Sequence, residues 1–251
     1  MKPYYHAHES AYQQIKSKGF VGWDNAKTLA DLGDKRTNEY LRRVLSDFFP
    51  VAAGKRALDI GCGSGTTAFI LAEIGFDVTG VDISTTAIQM AQELARQQNL
   101  KINFAVGDVL ELENLGQKFD VIYDSHCLHC IVFEEDRHKV LVGAKKSLTE
   151  KGIFILDTMV MPETKYNPGD SSDTFRFDED FILWHKTKPS TGYGIMEKDG
   201  QHWCAQRRIY PPQKVLDEAA AAGLNVISSR LDLQDDGQPS MLRLVLIPAQ
   251  V

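Results

Sequence analysis

The stretch LDIGCGSG, residues 58–65, decides the fold of this 251-residue chain. It follows the apolar run RALDI (56–60) and precedes the helix-like segment TTAFILAEI (66–74), so it forms a turn from a strand into a helix. Its three glycines allow positive φ angles and let a ligand approach the backbone closely. The start of the helix offers unpaired N–H groups. A plain tight turn does not need three glycines, and the stretch therefore predicts a ligand-binding turn.

Outward from this turn, apolar runs rich in β-branched residues alternate with helical segments. The further runs are FDVTGVD (76–82), INFAV (102–106), FDVIYD (119–124) and IFILDTM (153–159). This alternation predicts a parallel sheet covered by helices on both faces. Two last strands, NVISSRLDL (225–233) and MLRLVLIP (241–248), are joined only by QDDGQPS, which makes them antiparallel. The predicted fold is α/β: a doubly wound, mostly parallel seven-stranded sheet with one antiparallel strand near the C-terminus.

Composition and charge narrow the class of protein. The chain is 43% hydrophobic and 25% charged, which is typical of one globular domain of this length. Its net charge of −6 and the absence of a basic run argue against a nucleic-acid partner. No apolar segment is long enough to span a bilayer or to serve as a signal peptide, so no membrane partner is expected. Four cysteines do not make a disulfide framework, and we expect reduced thiols in a cytoplasmic protein.

Acidic residues follow three of the predicted strands. Asp59 lies just before the glycine turn, where a carboxylate suits a ligand with an ammonium group better than a pyrophosphate. Asp82 ends the second strand, where an acid accepts hydrogen bonds from both ribose hydroxyls. Asp108 follows the third strand and is placed to accept from an adenine amino group, with Ile83 and Val109 on either side of the ring. The G-x-G-x-G spacing also differs from the G-x-G-x-x-G of dinucleotide-binding proteins, which disfavours a nicotinamide-dependent oxidoreductase.

These motifs together resemble the class I S-adenosylmethionine-dependent methyltransferases. LDIGCGSG, VTGVDIS (78–84), GDV (107–109) and FDVIYDSHCLH occur in the order and spacing of that family. The resemblance covers residues 56–160 well and 211–248 in outline, and it implies a Rossmann-like fold with S-adenosylmethionine as cofactor and S-adenosylhomocysteine as product. The candidate cofactor-binding residues are Trp23, Asp59, Gly61, Cys62, Gly63, Asp82, Ile83, Asp108, Val109, Asp124 and Ser125.

Two amphipathic helices, 9–18 and 35–49, precede the first strand, with Gly19 and Pro50 as their stops. The segment AYQQIKSKGFVGWD (11–24) looks like the entry segment of thiopurine and tellurite methyltransferases, where a tryptophan sits near the cofactor. Trp23 would then close over the methionine part of the ligand. The alternative is that Trp23 and Phe20 only pack the helix on the core.

The segment DSHCLHC (124–130) follows the fourth strand. Ligands bind at the carboxyl ends of parallel strands, so Asp124, Ser125 and His126 are expected beside the transferable methyl group. Methyl transfer by in-line displacement needs alignment, and a hydroxyl or ammonium acceptor also needs a base. His126 is the first candidate for the base and His129 the second. The alternative is that either imidazole is a packed side chain capping the next helix.

The density of histidine and cysteine in this segment suggests two further hypotheses, a metal site and a redox site. Four tetrahedral ligands cannot converge from HC-x-HC, because neighbouring side chains on a helix or strand point apart. Cys204 or His202 would have to complete such a site, and the spacing does not demand it, so no metal is predicted. The C-x-x-C spacing is that of thioredoxin-like redox motifs, but the predicted fold around it is a nucleotide-binding one.

We expect a single methyltransferase domain over residues 1–251. Its parts are an N-terminal helical lid (1–50), a cofactor-binding core (51–160), a substrate-side insertion (161–210), and a C-terminal helix with the antiparallel strand pair (211–251). Asp199-Gly200 in the insertion predicts a β-hairpin. The aromatic residues of the insertion predict either an aromatic-lined pocket or a small satellite core, and Arg176, Arg207 and Arg208 are candidates to meet a carboxylate.

The predicted function is methyl transfer to O, N or S of a small molecule. One alternative is a non-catalytic S-adenosylmethionine-binding module. Another is a metalloid or thiol methyltransferase that uses the Cys/His-rich segment.

Overall fold

The computed structural model of the chain describes residues 3–23, 25–28, 31, 35–167, 171–234 and 239–249. Its helices are α1 (Pro3–Ser17), α2 (Lys35–Phe48), α3 (Thr66–Ile74), α4 (Thr85–Gln97), α5 (Glu134–Ser147) and α6 (Pro212–Ala221). Its strands are β1 (Arg56–Ile60), β2 (Asp77–Asp82), β3 (Asn103–Val106), β4 (Phe119–Ser125), β5 (Leu148–Val160), β6 (Phe175–Phe177), β7 (Ile182–Thr187), β8 (Ile195–Lys198), β9 (Gln201–Arg208), β10 (Leu224–Asp232) and β11 (Ser240–Pro248).

The central sheet has seven strands in the order β10-β11-β5-β4-β1-β2-β3. Strands β1 to β5 pair in parallel, and β11 runs antiparallel to both β5 and β10. The order reverses between β1 and β4, which is the point where open α/β sheets bind ligands. The predicted fold class is confirmed, including its single reversed strand. Residues 235–238 of the predicted link between the last two strands lie outside the described residues.

Both faces of this sheet are buried, as the continuous apolar strands predict. Leu58 and Ile60 of β1 belong to one core cluster, whereas Ala57 belongs to the other. Tyr123 of β4 and Ile155 of β5 belong to the same cluster as Ala57. Ile122 of β4 belongs to the same cluster as Leu58. The period-two alternation therefore divides each strand between two cores, and the rigid sheet fixes where its strand ends lie.

A second, four-stranded antiparallel sheet, β6-β7-β9-β8, fills most of the insertion. The predicted hairpin is confirmed: Asp199 and Gly200 both have positive φ, 54° and 70°, as the tight turn between β8 and β9 requires. The sequence did not predict β6 and β7. One face of this sheet packs Ile182, Trp184 and Trp203 on Val132, whereas the other faces the cofactor side of the central sheet.

Helix α1 begins at Pro3, six residues before the predicted start, and its buried side chains are Tyr5, Tyr12 and Ile15. Tyr12 and Ile15 pack with Ala87 and Met90 of α4. The predicted stop is confirmed, since the Phe20 and Gly19 N–H groups donate to the carbonyls of residues 15 and 16 in a glycine-capped helix end. Within the described residues, the helices are all too short or too polar to cross a membrane.

Candidate active site

One cavity of about 1120 Å³ lies at the carboxyl ends of β1 to β4. Its walls are the central strand ends, helix α1 and the inner face of the second sheet. Nearly all of the candidate site residues line it, namely Trp23, Asp59, Gly61, Cys62, Gly63, Asp82, Ile83, Asp108, Val109, Ser125, His126 and His129. Asp124 is the one candidate that does not. The topology therefore brings residues from five separate segments of the sequence to a single site.

The glycine turn is packed too tightly for side chains. Gly61 and Gly63 have φ angles of 65° and 54°, in the left-handed region that favours glycine. A Cβ on Gly61 would come within 2.6 Å of the Cys127 Cβ, and one on Gly63 would collide with the Tyr12 hydroxyl. The turn is thus packed closely between α1 and the segment 124–130, and only glycine fits at these two positions.

Asp82 is buried and orders the cofactor end of the cavity. One carboxylate oxygen accepts from the Gly63 N–H at 2.9 Å, and the other accepts from the Ser84 N–H at 2.8 Å. His8 of α1 places its Nε2 3.7 Å from the same carboxylate. Each carboxylate oxygen keeps a further lone pair, so Asp82 can hold the glycine turn and still accept from a ligand hydroxyl.

Asp59 is a buried carboxylate with little hydrogen bonding. It is 1% exposed, and its one donor among the described residues is the Ala68 backbone N–H, whose geometry is too poor for a full hydrogen bond. Burial raises the pKa of Asp59 well above its usual value; the Ala68 N–H lowers it in part, and the carboxylates of Asp124 and Asp82 raise it further. A buried acceptor left unpaired is costly. Because it lines the cavity, a cationic ligand would satisfy it.

Asp108 caps a short 3₁₀-helix, Val109–Leu115, by accepting from the Leu110 N–H at 3.0 Å. Ile83 and Val109 lie in the apolar wall beside it. The side chains proposed to bind the adenine amino group and to flank its ring therefore share one corner of the cavity.

Helix α1 covers the cofactor end; the sequence predicted a helical lid over residues 1–50 but named only Trp23 of that segment as a cofactor-binding residue. Glu9 accepts from the Ser84 hydroxyl at 2.6 Å and the Thr86 hydroxyl at 2.5 Å, which ties α1 to the start of α4. His8, Tyr12 and Trp23 form a ring cluster with centroids 5.3–5.7 Å apart. The Trp23 side chain is 52% exposed and lines the cavity. Phe20 instead packs against the apolar cluster between α1 and α4. The spacing of Tyr5, His8 and Tyr12, on one face of a helix, was the signal that could have found this surface.

Asp124 is fully buried below the site. Its Oδ1 accepts from the backbone N–H groups of Cys127 at 2.8 Å and Leu128 at 3.3 Å, which closes the turn after β4. Burial raises the pKa of Asp124 to about 7. The structure thus gives Asp124 a role in shaping the segment 124–130, and its predicted contact with the cofactor stays a prediction.

Ser125 and His126 lie at the end of β4 on the cavity surface. The Ser125 Oγ is 3.1 Å from the His126 Nδ1. His126 has a positive φ of 68°, a conformation that costs on the order of 1 kcal/mol in a residue with a Cβ, and its N–H donates to the Asp157 carbonyl at 2.9 Å. Strained backbone of this kind is concentrated at functional sites.

His129 is 2% exposed and is held by the strand beside it. The Met159 N–H donates to its Nδ1 at 3.2 Å, and the Thr158 Oγ1 lies 3.3 Å from the same atom. Because a backbone N–H can only donate, Nδ1 is an acceptor and the ring proton sits on Nε2. Burial lowers the pKa of His129 well below its usual value, and the nearby His126 lowers it further. His129 is therefore a neutral hydrogen-bond donor, which suits it poorly as a base.

All four cysteines of the chain line the cavity: Cys62, Cys127, Cys130 and Cys204. Burial raises the pKa of each thiol, so the reactive thiolate is disfavoured. Among the described residues, no three histidine, cysteine or carboxylate side chains are arranged to hold a metal ion. The four thiols are buried or half-buried in the wall of the cavity.

The second sheet forms the wall opposite the cofactor end. Strand register places His185 opposite Cys204, and both line the cavity with Gln206 and Arg207. The expected aromatic lining is not found, because the aromatic residues of the insertion pack elsewhere: Trp184 and Trp203 in the satellite core, Phe177 and Phe181 against Tyr166, and Tyr193 against Phe133. Of the three candidate arginines, Arg207 alone lines the cavity.

A doubly wound sheet, a glycine turn and three strand-end carboxylates around one cavity define a nucleotide-binding α/β protein. Residues 52–209 match the model of the family described as Methyltransferase domain. The chain therefore belongs to that family, and the predicted methyltransferase class is confirmed. The matched residues begin at 52, so the likeness of residues 11–24 to thiopurine and tellurite methyltransferases stays a prediction.

Similar proteins cover different parts of the chain. Ubiquinone biosynthesis O-methyltransferase of Rickettsia bellii is 30% identical over 131 residues, 52% of this chain and 52% of that protein. The protein of the same name in Coxiella burnetii is 45% identical over 106 residues, 42% of this chain and 44% of its own length. The chain thus spans about half the length of the curated relatives it matches. A solved S-adenosylmethionine-dependent methyltransferase from Clostridium acetobutylicum covers 88% of this chain and 94% of its own, with a TM-score of 0.64 and 18% identity, and so shares the fold.

Proposed function

We propose that this chain moves a methyl group from S-adenosylmethionine to a heteroatom of a small molecule bound in the cavity at the ends of β1 to β4. One observation carries this proposal. The same cavity holds the glycine turn and strand-end carboxylates on one side and the pair Ser125–His126 on the other. A ligand that spans the cavity would reach both.

The residues present fit the cofactor. Asp59 offers buried oxygens with little hydrogen bonding to an ammonium group, Asp82 has acceptor capacity for ribose hydroxyls, and the glycine turn lies on the cavity wall. When bound, S-adenosylmethionine supplies a methyl group on a positively charged sulfur. The carboxylates of Asp82 and Asp108 give this end of the cavity the opposite charge, which favours such a cation, and a bound cation would in turn favour the ionised form of Asp59.

At the other end, the side chains have to orient the acceptor and take its proton. We assign the base to His126, because it lines the cavity and Ser125 beside it can fix the ring through Nδ1. His129 keeps its proton on Nε2 and is assigned to positioning by donating a hydrogen bond. The enclosing α1 and second sheet exclude water from the reacting atoms.

The curated relatives favour an oxygen acceptor. Both carry the name O-methyltransferase. Helix α1 lies outside residues 52–209 that match the family model, and together with the second sheet it would select the particular acceptor.

The direct test is transfer of labelled methyl from S-adenosylmethionine to a panel of phenols, alcohols, amines and thiols. Labelled product with any of them supports an enzyme. Saturable binding of S-adenosylhomocysteine by calorimetry without turnover on the whole panel favours the non-catalytic module. No binding of either cofactor form would overturn the proposed function.

His126→Gln tests the base. We expect turnover on a hydroxyl acceptor to fall by about 10²- to 10⁴-fold, since general-base catalysis typically contributes that much. The wild-type rate should also decline toward acid pH, where a protonated imidazole cannot accept a proton, and this acid limb should vanish in the variant. The control is His138→Gln on the exposed face of α5, which should keep both rate and pH profile. An unchanged acid limb in His126→Gln would refute the assignment.

A further inference from the structure

Arg207 of β9 is a half-buried cation on the cavity wall without an acidic partner among the described residues. Its Nη1 lies 3.8 Å from the Met159 sulfur, and its guanidinium also reaches the Cys130 thiol. Sulfur is a weak acceptor, so these contacts leave most of the five guanidinium donors unused.

Other buried arginines in the described chain do have carboxylate partners. Arg137 makes two hydrogen bonds of 2.6 Å to Glu218. Arg243 pairs with Asp157 at 3.1 Å, and Arg208 lies 3.2 Å from Glu134. Arg207 is the exception among these four, and it is the one that faces the cavity.

The charges that line the cavity are separated by sign. The described carboxylates of the lining, Asp59, Asp82 and Asp108, all lie at the cofactor end. The acceptor end holds Arg207 with His126, His129, His185 and Lys186. A positively charged cofactor next to an unpaired arginine is unfavourable unless an anion lies between them.

We propose that the methyl acceptor carries a carboxylate group and that Arg207 binds it. The inference rests on the proposed function and names its substrate class. The planar guanidinium matches a carboxylate through two parallel N–H···O bonds. Such a pair would fix the acceptor's orientation beside His126 and place the anion between the arginine and the cofactor.

A single carboxylate fits this end of the cavity better than a phosphate dianion. Arg207 is the fixed positive charge in the interior, because Lys186 is exposed at the rim. His185 is exposed next to Lys186; partial burial and the charge of Arg207 both lower its pKa, so it adds no fixed positive charge. One interior cation therefore faces one ligand anion.

The experiment compares charged and neutral versions of the same compounds. Full-length protein is saturated with S-adenosylhomocysteine. Its thermal stabilisation and dissociation constants are then measured with paired benzoic acids and benzamides, hydroxycinnamic acids and their amides, and phenyl phosphate. The variants are Arg207→Gln and Arg207→Lys. Arg230→Gln is the matched control, since it removes the same charge from the exposed part of β10.

We expect the wild-type protein and Arg230→Gln to prefer the acids over the amides by about tenfold to a hundredfold, the range for a charged hydrogen-bonded pair. Arg207→Gln should lose this preference, and Arg207→Lys should keep part of it. Equal affinity for acids and amides, a preference for phenyl phosphate, a preference retained in Arg207→Gln, or no binding of any acid would each overturn the proposal. Binding of S-adenosylhomocysteine in the same samples separates these results from a failure of the proposed function.

Discussion

The Asp82 carboxylate already accepts two backbone hydrogen bonds, and the ribose of the proposed cofactor would add more. Replacing it with alanine removes a charged acceptor, which is worth about 2–3 kcal/mol. We therefore expect Asp82→Ala to weaken S-adenosylhomocysteine binding roughly 30- to 160-fold by calorimetry. Asp77→Ala is the matched control, because Asp77 is exposed at the opposite end of the same strand. If the two variants bound equally well, Asp82 would have no part in the cofactor site.

Asp124 gives a prediction about pH, since burial raises its pKa to about 7 from an unfolded value of about 3.9. The folded state favours the protonated acid. Its contribution to the free energy of unfolding is therefore largest below about pH 4 and is lost as the pH rises through about 7. Asp124→Asn keeps an oxygen that accepts from Cys127 and cannot ionise. Its free energy of unfolding relative to wild type should increase by on the order of 2 kcal/mol from pH 5 to pH 8.

Urea unfolding at the two pH values measures this difference. The exposed Asp77→Asn supplies the control, with a difference from wild type that should not change with pH. A flat difference for Asp124→Asn would mean that the folded protein stabilises the ionised carboxylate.

At the residue scale, the sequence predicted the cofactor end better than the acceptor end. Asp59, Asp82 and Asp108 follow strands, and parallel strands end at one edge, so their convergence depends on topology alone. The roles of Glu9 and Arg207 depend instead on how α1 and the second sheet pack against that edge. No local sequence pattern contains this information, because the residues in contact are far apart in the chain. Glu9 and Ser84, for example, are 75 positions apart.

At the scale of elements, Glu9 supplies a polar tie between helix α1 and the start of α4, beside the apolar packing of Tyr12 and Ile15. Burial raises the pKa of Glu9, but hydrogen bonds from Ser84 and Thr86 lower it by more, so the tie holds with Glu9 ionised and weakens as the pH falls through its lowered pKa. We expect Glu9→Ala to increase amide hydrogen exchange in residues 3–17 and to weaken S-adenosylhomocysteine binding several-fold, because a charged hydrogen bond is worth about 1.5–3 kcal/mol. Glu39→Ala on the exposed side of α2 should change neither. Unchanged exchange in Glu9→Ala would show that Tyr12 and Ile15 hold the helix without it.

The elements of the central sheet were predictable because their apolar runs match the strand and helix periods. Strands β6 and β7 were not, since Phe175–Phe177 is three residues long and β7 pairs with β9 across a bulge next to Trp184. The first six residues of α1 were missed for a related reason. These residues face the cavity and α4. Their sequence does not show the apolar spacing of a buried helix face, so the helix start cannot be recognised without knowing those neighbours.

The lid, the central sheet and the C-terminal strands are joined across the whole molecule by Arg243. This buried side chain on β11 donates to Asp157 of β5 at 3.1 Å and to the Thr37 hydroxyl of α2 at 2.8 Å, and it also pairs with Asp232 of β10. Thr37 lines the cavity, so the network connects the reversed strand to the site. Asp157 also supplies the carbonyl that holds the strained His126.

Arg243→Ala should cost about 3–5 kcal/mol in free energy of unfolding, since it leaves the Asp157 carboxylate buried without its partner. The double variant Arg243→Met with Asp157→Asn removes both charges and fills most of the volume, so it should cost clearly less than Arg243→Ala. Urea unfolding measures both values, and Arg96→Ala in the last turn of α4 controls for loss of an exposed arginine. We also expect Arg243→Ala to weaken acceptor binding more than cofactor binding, because Asp157 and Thr37 contact the site on the His126 side. A double variant that costs as much as Arg243→Ala or more would show that the unpaired Asp157 carboxylate is not the source of the loss and that Arg243 and Asp157 are not coupled.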